Sequence, residues 1–191
     1  MMRSRVALVP LVLALFSSGC ASWYDAQVAT PSTYHAPQRL DDSYSISGRF
    51  LIVTAESKDY YGNYSWQRES GNDLLAFVSP LGNTVAQITI ESGMATLVNS
   101  DGKRYSGSDL NTMMQAQLGF TLPLNYLHYW IQGVPLPQYR VQSQLASGFS
   151  QLDWQIEYLS WQDSNHPHIL ALHNRQMRIK MVIDWPESST N

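Results

Sequence analysis

Met177-Arg178-Ile179-Lys180-Met181-Val182-Ile183-Asp184 is the most regular stretch of the chain. Met177, Ile179, Met181 and Ile183 occupy alternate positions; Arg178, Lys180 and Asp184 lie between them, and only Val182 breaks the pattern. Successive side chains of a strand point to opposite faces, so this spacing predicts a β-strand with one apolar and one polar face. Pro186 stops it, having no N–H to give to a ladder. A strand of this kind suits an antiparallel sheet with a core on one side and water on the other.

The same period recurs upstream. Ile46, Gly48, Phe50 and Ile52 share a face, with Arg49 and Leu51 opposite; Tyr64 and Trp66 alternate with Ser65 and Gln67. Leu74 to Ser79 is apolar on both faces, and Thr84 to Glu91 and Met94 to Asn99 read as further strands. After Tyr139 the pattern is β again: Trp154, Ile156 and Tyr158 alternate with Gln155 and Glu157, and His168 to Leu172 is a short strand. Gly71-Asn72-Asp73, Pro80-Leu81-Gly82-Asn83, Ser92-Gly93 and Asp101-Gly102 have turn composition. Short strands joined by tight turns make an antiparallel meander, not βαβ units.

Between these strands the period switches. Leu110, Met113, Met114 and Leu118 fall at i, i+3, i+4 and i+8, one face of a helix. Ser106 or Ser108 is expected to cap its start, and Gly119 to close it in a left-handed conformation. A shorter helix begins at Pro123 and carries Leu124, Leu127, Trp130 and Ile131 as far as Gly133. Tyr126 and Tyr129 make it apolar almost all round, so cover is expected on more than one side. Val134-Pro135-Leu136-Pro137 forbids its continuation. The fold class is therefore mainly β with inserted helices, built on a curved antiparallel sheet. Two interiors fit this pattern: a greasy cavity under a helical lid, or a fully packed barrel with the helices as ordinary core.

The beginning of the chain is of another kind. Arg3 and Arg5 precede an apolar run from Val6 to Phe16, and Ser17, Ser18 and Gly19 lead to Cys20. A charged start, a short apolar segment and a small-residue exit describe a secretory signal peptide; about 20 apolar residues would be needed to span a bilayer. Cys20 is the only cysteine, so no intramolecular disulfide can form. Its placement resembles the lipobox of bacterial lipoproteins, although Ser17 stands where that motif usually has Leu. The resemblance implies cleavage before Cys20 and acylation of its thiol and new amine. Several acyl chains at about 0.8 kcal/mol per buried methylene anchor a protein firmly, whereas one does so only marginally. Ala21 is not the acidic residue that retains such proteins at the inner membrane, which implies the outer membrane. Residues 1–19 are thus expected to be signal, 20–42 a lipidated N-terminus and flexible tether rich in Ala, Ser, Thr, Pro and Gln, and 43–191 one domain.

Composition narrows the function. The formal charge of the 191 residues is −3, and loss of Arg3 and Arg5 leaves ten basic residues against fifteen acidic. A mildly acidic body without a basic cluster does not suit nucleic acid. Charged residues make up 14%, against about 25% in typical soluble domains. Eleven Tyr and six Trp leave much aromatic surface to hide or to use. No G-x-S-x-G elbow or glycine-rich phosphate loop occurs, and no carboxylate pair demands acid–base work. His166 and His168 flank Pro167, but one loop with two imidazoles is a poor metal site; no metal or cofactor is expected. His128 reads as structural or interfacial. No catalytic residue is assigned.

One turn is unusual. Ser79-Pro80-Leu81-Gly82-Asn83 places a leucine at a hairpin tip, where no core easily reaches it. Either Leu81 folds back onto the sheet or it is exposed as a small wedge for a membrane.

This turn, the Asp101-Gly102-Lys103-Arg104-Tyr105 turn and the segment L-P-L-N-Y-L-H-Y-W-I-Q-G from Leu122 to Gly133 together resemble the LolB family, outer-membrane receptors of the lipoprotein-localisation pathway. The resemblance implies an unclosed β-barrel with a helical lid over a hydrophobic cavity. It also implies a non-enzymatic function: accepting lipoproteins from the periplasmic carrier LolA and inserting their acyl chains into outer-membrane lipid, without nucleotide. Pro80, Leu81 and Gly82 match the family's membrane-insertion loop. Phe50, Ile52, Trp66, Leu118 and Leu127 are the expected cavity lining, with Trp130, Ile179, Met181 and Ile183. A monomer is expected. The competing class is a binding module, an outer-membrane lipoprotein that stores a small hydrophobic ligand or scaffolds an envelope assembly.

Overall fold

The computed structural model describes residues 32–37 and 40–187. The expected signal peptide and Cys20 lie outside the described residues. The elements in chain order are β1 (Tyr44–Thr54), β2 (Asp59–Glu69), β3 (Asn72–Val78), β4 (Thr84–Glu91), β5 (Met94–Asn99), β6 (Arg104–Gly107), α1 (Leu110–Leu118), α2 (Leu124–Trp130), β7 (Val141–Leu145), β8 (Gly148–Gln151), β9 (Trp154–Trp161), β10 (Pro167–His173) and β11 (Met177–Asp184).

All eleven strands form one antiparallel sheet in the order β6-β5-β4-β3-β2-β1-β11-β10-β9-β8-β7. The chain builds outward from β1 to one edge at β6, crosses through α1 and α2, and resumes at the opposite edge, β7. The two edges do not pair, so the barrel is unclosed. Central to it is the pairing of β1 with β11, where Phe50 faces Met181 and Ile52 faces Ile179. A one-residue slip here would turn every apolar side chain outward, so burial fixes the register.

The alternation read from sequence marks the inner face correctly. Ile46, Phe50, Ile52, Tyr64, Trp66, Ile179, Met181 and Ile183 are all buried. They join Leu127, Trp130, Phe149, Ile156 and Tyr158 in one core. Each such side chain contributes about 1.5–3 kcal/mol by leaving water. Gly48 belongs to the same face for a different reason: a Cβ on it would lie 1.9 Å from the Val182 carbonyl oxygen.

Three local expectations change. The N-cap of α1 is Asp109, whose carboxylate accepts from the Thr112 N–H, and not Ser106 or Ser108. Arg104–Gly107 is a paired edge strand and not only a turn. Residues 32–37, read as part of the tether, lie against the body. Tyr34 stacks on Tyr158 with ring centroids 5.3 Å apart, and its hydroxyl donates to the Gly133 carbonyl at 2.9 Å. Its backbone N–H donates to Ala146 O, and His35 Nε2 donates to Ser164 O. A Pro- and Ser-rich composition suggests a tether because these contacts are all long-range in sequence.

Candidate functional site

Beneath α2 the inner face converges on an apolar cavity lined by Phe50, Tyr64, Trp66, Leu75, Phe77, Leu122, Leu124, Leu127, Ile179 and Met181. Its volume is about 10 Å³, room for roughly one water molecule. Of the lining residues expected from sequence, Phe50, Trp66, Leu127, Ile179 and Met181 border it. Ile52, Trp130 and Ile183 are buried in the surrounding core, and Leu118 is half-buried at the end of α1; none of the four borders it. Tyr64, Leu75, Phe77, Leu122 and Leu124 complete the wall. Tyr64 was legible as an inward position by alternation and Leu124 as part of the apolar face of the second helix, whereas Leu75 and Phe77 lie in a strand apolar on both faces and Leu122 precedes a proline outside any period.

The wall is braced by buried polar contacts. Trp66 donates its indole N–H to Asp73 Oδ1 at 2.8 Å, and Arg68 pairs with the other carboxylate oxygen. The Tyr64 hydroxyl donates to the Val182 carbonyl at 3.2 Å, and burial pushes its pKa far above the ordinary tyrosine value. His128 stacks on Tyr44, 5.7 Å between centroids. Its Nδ1 accepts from the Tyr44 hydroxyl at 3.3 Å and faces Gln132 Nε2 at 3.4 Å. Burial, assisted by the Arg68 charge, lowers its pKa to about 4, so the ring is neutral at physiological pH.

The C-terminal end of α2 is firmly held. Tyr158 donates its hydroxyl to the Trp130 carbonyl at 2.9 Å, and Trp130 donates its indole N–H to Gln151. Gln132 accepts from the Asp41 N–H and donates to its carbonyl. The N-terminal end of α2 has no side-chain cap. An open groove of about 300 Å³ adjoins it, between the β4–β5 hairpin and the starts of both helices.

At the far end of the sheet stands Leu81, 89% exposed. The Ser79 N–H donates to Asn83 O, and the Gly82 N–H donates back to Ser79 O, with Gly82 left-handed at φ +89°. The turns β1–β2 and β5–β6 have the same construction: Thr54 to Lys58 with Ser57 left-handed, and Asn99 to Lys103 with Gly102 left-handed. Glu56 and Asp101 occupy in those turns the place of Leu81. The same pair of backbone hydrogen bonds is thus met with an acidic residue twice and a leucine once, so turn formation does not require the leucine. The exposed side chains of Tyr61 on β2 and Val85 on β4 stand on the outer face near the same end.

His166 Nδ1 donates to Asp163 Oδ2 at 2.7 Å, whereas His168 Nδ1 donates to the Ile183 carbonyl at 3.0 Å. The two rings serve separate structural contacts. Among the described residues no group of three or more His, Cys, Asp or Glu comes together.

The model of a protein family described as outer membrane lipoprotein LolB matches residues 42–185. The chain belongs to the LolB family. It is 32% identical over 177 residues to the outer-membrane lipoprotein LolB of Chromobacterium violaceum, covering 91% of this chain and 94% of that one. It is 30% identical over 203 residues to the LolB of Pseudomonas aeruginosa, covering 96% and 97%. With the LolB of Azoarcus the identity is 26% over 189 residues, covering 95% of each. The family match spans every strand and both helices of this chain, so the cavity, the groove and the Leu81 turn all lie within the LolB body.

Proposed function

We propose that this chain is an outer-membrane-anchored receptor, acylated on Cys20, that takes lipoproteins from the periplasmic carrier LolA and inserts their acyl chains into the outer membrane. Residues 43–191 act as one lipoprotein-binding unit, working as a monomer and without nucleotide. Its family relatives are named outer-membrane lipoproteins, which supports the location. The observation that carries the reading is the separation of two apolar features: a buried lining around Phe50, Leu127, Ile179 and Met181, and Leu81 exposed at a turn that packs on no core.

One acyl chain of roughly 15 methylenes would cost on the order of 12 kcal/mol exposed to water. Transfer from one apolar lining to another avoids that exposure. Direction then follows from differential affinity, carrier weaker than receptor and receptor weaker than bilayer. Because the cavity is nearly filled by side chains, acyl chains enter only as α2 and its flanks give way. Met181 and the half-buried Met177 are suited to this, since methionine adapts to irregular contents.

The test is a two-step transfer, carrier to receptor in solution and receptor to liposomes, scored by which fraction holds the cargo. In Leu81→Glu the charge resists entry into hydrocarbon by about 2–4 kcal/mol, while the cavity is untouched. This variant is expected to accept cargo and then retain it. Normal delivery by Leu81→Glu would remove the wedge role, and failure of the parent to accept cargo would remove the receptor role.

A further inference from the structure

The open groove and the buried cavity share a wall. Leu122 and Leu124, only 4% and 5% exposed, border both, and among the described residues no other does. Between them Pro123 sits at φ −78°, ψ 61°, and the Leu124 N–H donates to Leu122 O at 2.8 Å. This is an inverse γ-turn. The partition is therefore a kinked, proline-centred link that precedes an uncapped helix end. The other end of α2 is tied down through Trp130, Gln132 and Tyr158. A helix pinned at its C-terminus and held at its N-terminus by apolar burial lifts, if it moves, at Leu122–Leu124. Lifting there merges groove and cavity into one space.

The chemistry of the groove differs from that of the cavity. Ile90, Ala95 and the two leucines give it an apolar side, while Asp109, Asn111 and Asn125 give it a polar one. Asp109 holds its charge: the Thr112 N–H and hydroxyl donate to it and keep its pKa below the ordinary carboxylate value. A lipidated cysteine has the same two-sided character. Its ester and amide groups lie between apolar chains and a polar peptide. The groove also opens beside the β4–β5 turn, at the opposite end of the sheet from the β3–β4 turn that carries Leu81. A membrane engaged by Leu81 leaves that end of the sheet facing the periplasm.

We propose that this groove is the entry port and head-group site for the acylated cysteine of lipoprotein cargo, with Leu122 and Leu124 the gate its chains pass to reach the cavity. It rests on the acyl-carrying function proposed above. The experiment uses the full chain in cells with an epitope-tagged, triacylated lipoprotein. Photoreactive benzoylphenylalanine is placed in the groove at Asn111 or Asn125, in the cavity at Phe77, or at Ala116, which is exposed and borders neither space. Irradiation is expected to join cargo at Asn111, Asn125 and Phe77 roughly tenfold more than at Ala116. Asn111→Trp, which fills the groove, is expected to lower the adduct at both Asn125 and Phe77; Ser108→Trp fills the same groove from the adjoining loop and serves if the first variant does not accumulate. Adduct at Phe77 without adduct in the groove overturns the port and leaves the acyl-carrying function standing. Adduct at Phe77 undiminished by the filled groove, or equal adduct at Ala116, also overturns it. No adduct at any position overturns both.

Discussion

Trp130 donates its indole N–H to Gln151 Oε1 at 3.2 Å, with both side chains sealed from solvent. The same oxygen accepts from the Leu136 N–H at 2.8 Å, and Gln151 Nε2 donates to the carbonyls of Leu136 and Tyr139 at 2.9 and 2.7 Å. One side chain thus joins the end of α2, the proline-rich loop after it and strand β8. Gln151→Leu keeps the volume but leaves several buried groups without partners, at about 1–3 kcal/mol each. A loss of at least ~3 kcal/mol is expected in urea unfolding. A loss below about 1 kcal/mol would show that other partners replace the glutamine.

That bond also shows where reading the sequence stops. The strand faces were legible because period two leaves only two choices, and Met177 to Asp184 selects one of them. Leu81 was legible because a turn tip is local. Trp130 was not: an inward aromatic on a helix has the same spacing whether it lines a cavity or is pinned in a core. Its role is decided by an acceptor 21 residues away. Ser106 and Ser108 were plausible caps, but Asp109 stands one residue nearer the first turn and also binds the Thr112 hydroxyl. The groove joins three separated segments, so no local pattern announces it.

His128 makes stability depend on pH. Its folded pKa, about 4, lies below the ordinary histidine value of 6.5, so the unfolded chain binds a proton that the folded chain refuses. The contribution is fully present above pH 6.5 and is lost as pH falls toward 4, by at most about 3 kcal/mol. Arg68, Asp73 and Asp42 carry the charges that act on it. His128→Phe preserves a ring against Tyr44 and is expected to flatten the decline in unfolding free energy between pH 6.5 and 4.5, relative to the parent. An unchanged slope would assign that decline to carboxylates alone.

Gly48 tests the closeness of β1 and β11. Its φ of +154° is one that L side chains rarely adopt, and a Cβ would meet the Val182 carbonyl oxygen at 1.9 Å. That oxygen is the acceptor for Tyr64, which lines the cavity. Gly48→Ala is expected to lower stability by at least ~3 kcal/mol and to broaden the unfolding transition as the central pair separates. Gly93→Ala, at a turn where a Cβ meets nothing, bears only the strain of its positive φ, about 1 kcal/mol. Equal losses in the two variants would argue that the close approach is not rigid.

The sheet interior decides whether acyl chains enter the cavity or bind elsewhere. Ile179 is buried on β11, faces Ile52 across the β1 pairing and borders the cavity, which has room for about one water. Tryptophan at this position occupies that space permanently. Overpacking costs about 1–3 kcal/mol, so Ile179→Trp is expected to fold with a lowered midpoint. Its uptake of a fluorescent acyl probe should fall by much more than its stability does, because the probe must now displace an indole instead of a flexible lining. Arg178→Trp, one residue earlier and exposed on the other face, is the control and should bind the probe like the parent. If Ile179→Trp binds as well as Arg178→Trp while both remain folded at the assay temperature, the acyl chains do not lie against this part of the sheet. In that event the lining formed by Phe50, Ile179 and Met181 is core alone.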